Sequence, residues 1–189
     1  MSTLLQVKLV TTPEEVIAIK ALQNLNLRVN ISQEEAASEG FLTASYTMEY
    51  LEAMNADAPS VIAKAGDEVV GYAMVTTKAL RDGHELMADL FNTIDLTPYK
   101  DRLLGEVDYV VVGQLCVAKA FRGMGLVQRM YNHFRDCYAG RYAYLVTDVA
   151  QANARSLKAH QKTGFQVIDT LTYGGIGWDI VLWDWRAKY

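Results

Sequence analysis

Arg122-Gly123-Met124-Gly125 stands between an apolar run ending at Val117 and a stretch in which Leu126, Val127, Met130, Tyr131, Phe134, Cys137 and Tyr138 recur at helical spacing. Glycines at the mouth of a helix remove Cβ atoms where an anion must touch backbone. The unpaired N–H groups of the first turn point at that anion, and the helix dipole favours its charge. The chemistry on offer is anion binding, and about four or five such amides suit a pyrophosphate. Each charged hydrogen bond contributes roughly 1.5–3 kcal/mol. A second constellation lies downstream. Asn153, Ser156, Leu157 and His160 share one helical face, because offsets of three, four and seven return to the same side, while Arg155, Lys158 and Lys162 fall on the other.

The elements that must carry these residues can be read from period and punctuation. Gln6–Val10 alternates as a first strand, and Thr12-Pro13-Glu14-Glu15 opens a helix to about Asn24. Ser32-Gln-Glu-Glu35 is a second capping box, and Met48, Leu51 and Met54 mark a short helix ending near Asn55. Val61–Lys64 and Val69–Thr76 flank Gly66-Asp67 as a hairpin. Residues 78 to 105 read as a lid, with a helical piece over His84–Thr93. The strand Asp108–Val117, the glycine turn and its helix, a strand Tyr142–Val149 and a helix Asn153–Lys162 closed by Gly164 follow. Phe165–Leu171 and Gly177–Trp185 end the chain as strands. This order describes an α/β (α+β) fold, a mixed sheet with helices on both faces in three layers.

Composition bounds the function. The 189 residues, 51% hydrophobic and 10% aromatic, fit one domain over 1–189 that buries about 70% of its unfolded surface. A net charge of −4 argues against a nucleic-acid partner and slightly favours a cationic substrate. No apolar run approaches the roughly 20 residues of a membrane span, and Met1–Val7 has no leader pattern, so a cytoplasmic location is expected. Cys116 and Cys137 fit neither a disulfide framework nor metal-ligand spacing and are expected as buried free thiols. No metal site is expected. Trp183 and Trp185 fall on one side of the last strand by alternation, the candidate homodimer surface.

Together, the glycine turn and the Asn153–Phe165 segment resemble the GNAT superfamily of N-acetyltransferases, over roughly residues 60 to 170. The resemblance implies a three-layer fold with a mostly antiparallel sheet and two splayed central strands. It implies acetyl-CoA as co-substrate without a metal, and a small-molecule or peptide amine as acceptor. The family's pyrophosphate-binding turn maps onto Arg122, Gly123, Met124, Gly125, Leu126 and Val127, with Val127 where glycine or alanine is usual. The strand whose backbone pairs with the pantetheine arm maps onto Leu115, Cys116 and Val117, and the downstream pattern onto Asn153, Ser156 and His160. His160 stands where many members carry a tyrosine that protonates the leaving thiolate, a task that an imidazolium of ordinary pKa near 6.5 suits. The competing reading makes His160 a core histidine bonded to backbone or a buried water, and Asn153 a helix N-cap.

An ammonium cannot attack a thioester, and a lysine-like amine needs roughly 4–5 kcal/mol to lose its proton at neutral pH. The strand position where relatives often carry a basic glutamate maps onto Val111. Asp148, late on its strand, is the preferred base; Glu106, Asp108 and a water relay are the alternatives. The function expected is acetyl-CoA-dependent N-acetylation of a primary amine by direct transfer in a ternary complex. The rival is a coenzyme A sensor without turnover.

Overall fold

The computed structural model describes residues 4–34 and 41–186. β1 (Leu5–Leu9) leads into α1 (Pro13–Asn26), with Pro13 at the first helical position, where a missing N–H costs nothing. The glutamate that closes this N-terminus works one residue earlier than expected. Glu15 Oε2 accepts from Thr11 N at 2.9 Å, while the Thr12 side chain makes no cap. The capping box at Ser32–Glu35 runs out of the described residues. α2 (Met48–Asp57) starts at Thr47, whose hydroxyl accepts from Tyr50 N at 3.2 Å. β2 (Val61–Ala65) and β3 (Glu68–Thr76) form the expected hairpin, with Gly66 in the left-handed region.

α3 (Glu85–Leu96) buries Leu86, Met87, Leu90, Phe91 and Ile94, so the segment expected as a lid is a packed helix. His84 caps it: Nδ1 accepts from Leu86 N at 3.1 Å, and burial lowers the pKa of the half-buried ring. A two-residue hairpin of β4 (Pro98–Tyr99) and β5 (Arg102–Leu103) follows. The chain continues through β6 (Tyr109–Val117), α4 (Leu126–Tyr138), β7 (Tyr144–Ala150), α5 (Ala154–Thr163), β8 (Gln166–Tyr173) and β9 (Ile176–Asp184). Among the described residues the expected strands and helices are present, displaced at their ends by one to three residues. The architecture is α/β, with a mostly antiparallel sheet flanked by helices. No described helix is long and apolar enough to cross a membrane.

The described chain divides into two compact units, one drawn from Met1–Val75 and Gly113–Phe134 and the other from Thr76–Val112 and Arg135–Tyr189. In the first, the strand order is β1-β2-β3-β6, with β1/β2 and β2/β3 antiparallel. Gly71 is small for a reason. A Cβ there would stand 3.2 Å from Cys116 O and 3.4 Å from Met130 Cε, so the bare backbone lets Met130 of α4 rest on the sheet. Cys116 is buried, and that burial pushes its thiol up to about 12. Such a group is a small apolar filler, not a nucleophile.

In the second unit the order is β6-β7-β9-β8, parallel at β6/β7 and antiparallel elsewhere. Its two faces are covered by different helices. Tyr109, level with Tyr144, stacks on Phe91 and donates its hydroxyl to Asp95 at 2.7 Å, which sets α3 on the face of Tyr144, Val146 and Asp148. Trp183, level with Leu145, meets Phe165, which meets His160, so α5 lies on the opposite face. Cys137, expected to be buried, is exposed near the end of α4.

Candidate active site

The glycine turn belongs to the first unit, and its shape follows from its residues. Gly123 and Gly125 adopt φ of +81° and +74°, a region that costs an L-residue roughly 1–2 kcal/mol. A Cβ at either would meet no protein atom within 4 Å, so backbone conformation and open space, not packing, call for glycine there. The first helical bond at the mouth of α4 is Arg129 N to Gly125 O, at 3.1 Å. The N–H groups of Gly123, Met124, Gly125, Leu126 and Val127 find no acceptor among the described residues. Successive orphan donors beside exposed glycines at a helix mouth suit a di-anion such as a pyrophosphate. Val127 takes nothing from this, because its N–H is as good a donor as that of alanine.

Arg122 does not simply point at the same space. Its Nε donates to Val117 O at 3.0 Å and its Nη2 to Asn26 Oδ1 at 2.6 Å, which ties the turn to the end of β6 and the last turn of α1. Upstream, Gln114 anchors β6. Its Oε1 accepts from Gln23 Nε2 at 2.9 Å and Tyr72 Oη at 2.8 Å, its Nε2 donates to Ala44 O at 2.8 Å, and Tyr46 Oη donates to Gly113 O at 2.9 Å. A buried amide with its donors and acceptor matched fixes one strand position, since any slip would orphan several polar groups. Leu115 is half-buried, and Cys116 and Val117 are buried.

Asp148, Asn153, Ser156 and His160 belong to the second unit. β6 and β7 pair over three levels, Tyr109–Val111 with Tyr144–Val146. β7 then runs on to Ala150 paired with β9. Where the parallel ladder stops, Thr147 Oγ1 donates to Val112 O at 2.8 Å, a side-chain bond in place of a main-chain one. Asp148 is the next residue. It is half-buried, yet its Oδ2 is enclosed and has no partner among the described residues. Burial pushes its carboxyl up to about 7, opposed only in part by a backbone hydrogen bond. Glu106 and Asp108 are exposed at the other end of β6, and Val111 is buried against Val146.

Asn153 caps α5, its Oδ1 accepting from Ser156 N at 3.1 Å. His160 is 3% exposed, and its Nδ1 lies 2.8 Å from Ser156 O, one helical turn back. A carbonyl can only accept, so Nδ1 carries the proton and Nε2 the lone pair. Burial lowers the pKa of this imidazole to about 4, against the backbone contact that raises it. The ring is therefore neutral near pH 7, and the imidazolium donor expected from the sequence is not what this environment stabilises. His160 packs edge-on to Phe165 at 5.1 Å, on the sheet face opposite Asp148, as a core histidine bonded to backbone. The two side chains expected to act together are thus kept apart by the sheet.

Trp178 escaped the sequence reading. It is level with Ala150 and therefore on the Asp148 face, diagonal to it across the β7/β9 ladder. Its indole Nε1 is enclosed and lacks a partner among the described residues. Only strand register identifies this neighbour, and register is not written in either strand's sequence. Among the described residues no group of three His, Cys, Asp or Glu is arranged to hold a metal ion.

The Acetyltransferase (GNAT) family model matches residues 27–165. No curated protein matches the chain by sequence. Among solved structures, yncA from Salmonella typhimurium, a structure with its cofactor acetyl-CoA, is similar at 13% identity and a TM-score of 0.63, over 98% of this chain and 96% of that one. A GNAT family acetyltransferase from Streptococcus agalactiae gives 17% and 0.65, over 97% and 96%. A ribosomal-protein-alanine N-acetyltransferase from Brucella melitensis gives 18% and 0.62, over 95% and 99%. At these identities the likeness is one of fold.

Proposed function

We propose that this chain, which belongs to the GNAT acetyltransferase family, moves the acetyl group of acetyl-CoA onto a primary amine by direct transfer in a ternary complex. The observation that carries the reading is the row of unpartnered amides from Gly123 to Val127. They seat the pyrophosphate, with Arg122 as the brace that holds the turn in shape. The main chain of Leu115, Cys116 and Val117 is the strand edge for the pantetheine arm. Bound there, acetyl-CoA supplies an activated acyl carbon at which the amine's C–N bond replaces the C–S bond.

Asp148 is the base in this reading. A carboxyl with a pKa of about 7 is ionised in a large fraction of molecules at neutral pH and still basic enough to take a proton from an ammonium. Its enclosed Oδ2, without a partner, is the lone pair that does so. Asn153 and Ser156 shape the start of α5; His160, neutral and bonded to Ser156 O, keeps that helix seated on Phe165. Positioning of the two reactants supplies the larger share of the acceleration, about 7–11 kcal/mol against 10²–10⁴-fold for one proton acceptor.

Thiol release on mixing the protein with acetyl-CoA and a panel of primary amines tests the reading, with mass-spectrometric detection of the acetylated amine. Amine-dependent release with matched product is expected. Coenzyme A binding with no release across the panel would make the protein a sensor.

A further inference from the structure

In the second unit Thr76 Oγ1, Asp148 Oδ2 and Trp178 Nε1 are enclosed without a partner among the described residues, and two of them face each other chemically: Asp148 Oδ2, an acceptor when ionised, and Trp178 Nε1, a donor only. Native structures seldom leave such groups orphaned, and each instance calls for a missing partner. These two are also neighbours. Asp148 is level with Ile180 and Trp178 with Ala150, so the two share a sheet face as a diagonal pair, at about 7–8 Å between backbones. The other two carboxylates on that face are engaged: Asp169 Oδ2 accepts from Thr97 Oγ1 at 2.7 Å, and Asp184 Oδ2 takes Lys100 Nζ.

The pair lies beyond the last paired level of the β6/β7 ladder, Val111 with Val146, toward the carboxyl end of β7. Trp178 is held there by its surroundings. Gln151 N donates to Gly177 O at 2.9 Å, and the Gln151 side chain folds so closely over Gly177 that a Cβ would lie 2.4 Å from its Oε1. The β9 main chain beside Trp178 is thus fixed, and the Trp178 side chain is itself packed, at 7% exposure.

We propose that Asp148 and Trp178 together select an α-amino carbonyl compound as acceptor, the amino nitrogen at the Asp148 carboxylate and the adjacent carbonyl oxygen on the Trp178 indole N–H. The inference rests on the acetyl-transfer reading. A donor-only indole has no use for a second ammonium or for a plain alkyl chain, whereas a carbonyl two bonds from the amine satisfies both orphans at once. Acidity points the same way. An α-amino group, with pKa near 7.7–8.0, gives its proton to a carboxyl at about 7 with an equilibrium penalty of about tenfold, while a lysine-type amine near 10.4 pays more than about a thousandfold.

The test is a titration of protein saturated with coenzyme A, following the Trp178 indole ¹H–¹⁵N resonance, assigned by its loss in Trp178→Phe. Glycinamide is expected to shift it and propylamine, which lacks the carbonyl, to leave it in place. Glycine and a tripeptide amide in the same titration separate a free amino acid from a chain N-terminus. In turnover, Trp178→Phe should raise KM for glycinamide at least about tenfold with KM for propylamine unchanged. Removing the carbonyl from the acceptor should cost wild-type enzyme the same factor, a comparison independent of how well the variant folds. Equal shifts for both amines, or none with saturating glycinamide, would overturn the proposal and leave a buried water as the indole's partner. Amine acetylation with an unmoved indole sinks this inference alone; a shifted indole without acetylation of any amine sinks the transfer reading alone.

Discussion

Around Gly123–Val127 the protein presents a row of main-chain N–H groups without acceptors among the described residues. At the end of β7 it presents two side-chain atoms, Asp148 Oδ2 and Trp178 Nε1, within backbone already paired to β9. The first region depends on φ and on space; the second depends on which residue stands at which level of a ladder. A backbone-built site tolerates substitution, so Val127 replaces a smaller residue without loss of a donor. A side-chain site does not: position 111 is valine, and Asp148 is the residue proposed above as the base.

The largest expected effect breaks the first region alone. Gly125→Glu puts a side chain on a residue at φ +74° and a negative charge where the diphosphate must sit. Loss of two charged hydrogen bonds predicts calorimetric affinity for acetyl-CoA at least about 100-fold weaker. Asp148→Asn breaks the second region alone: kcat should fall about 10²–10⁴-fold with acetyl-CoA affinity unchanged. Wild-type kcat should rise as pH passes through about 7, because the ionised carboxylate is the active form, and that rise should vanish in the variant. If the two variants lose cofactor affinity equally, the division of labour drawn here is wrong.

The same aspartate gives a sign-definite stability effect. Its folded pKa of about 7 lies above the unfolded value near 3.9, so its favourable contribution is complete below the unfolded value and lost as pH rises through 7. Asp148→Asn should therefore unfold at a higher temperature than wild type at pH 8, a gain in stability with a loss of turnover. His160 has the opposite sign. Its folded pKa of about 4 lies below the unfolded 6.5, so its contribution holds above 6.5 and is lost as pH falls toward 4. The smallest effect predicted is on catalysis by His160→Phe: kcat within about threefold of wild type, with the acid-side fall in melting temperature reduced. A hundredfold loss of kcat would return His160 to the chemistry.

Much of this was legible before any coordinates. The glycine turn, the strand before it, the helix that Asn153 opens and the Gly164 cap follow from local rules that act within a few residues. What local rules miss is which groups meet across the sheet. The alternation of Tyr144–Ala150 places Asp148 on one face, but nothing within Asn153–Phe165 says that His160 packs on the other, by way of Trp183. Nor does periodicity reveal that helix α3 is core: the length of 78–105 invited a lid, and only the burial of Leu90, Phe91 and Ile94 corrects that. The exposure of Cys137 is the same kind of error, a residue at the margin of an apolar stripe taken for its centre.

Acetyl-CoA recognition by this protein depends first on main-chain amides that hold the diphosphate. Titration of the ¹⁵N-labelled protein with coenzyme A, followed by the same titration with pantetheine, isolates that contribution. The amides of Gly123, Met124, Gly125, Leu126 and Val127 should move strongly with coenzyme A and stay nearly still with pantetheine, which lacks the pyrophosphate. Coenzyme A binding that leaves these five amides unmoved would contradict it.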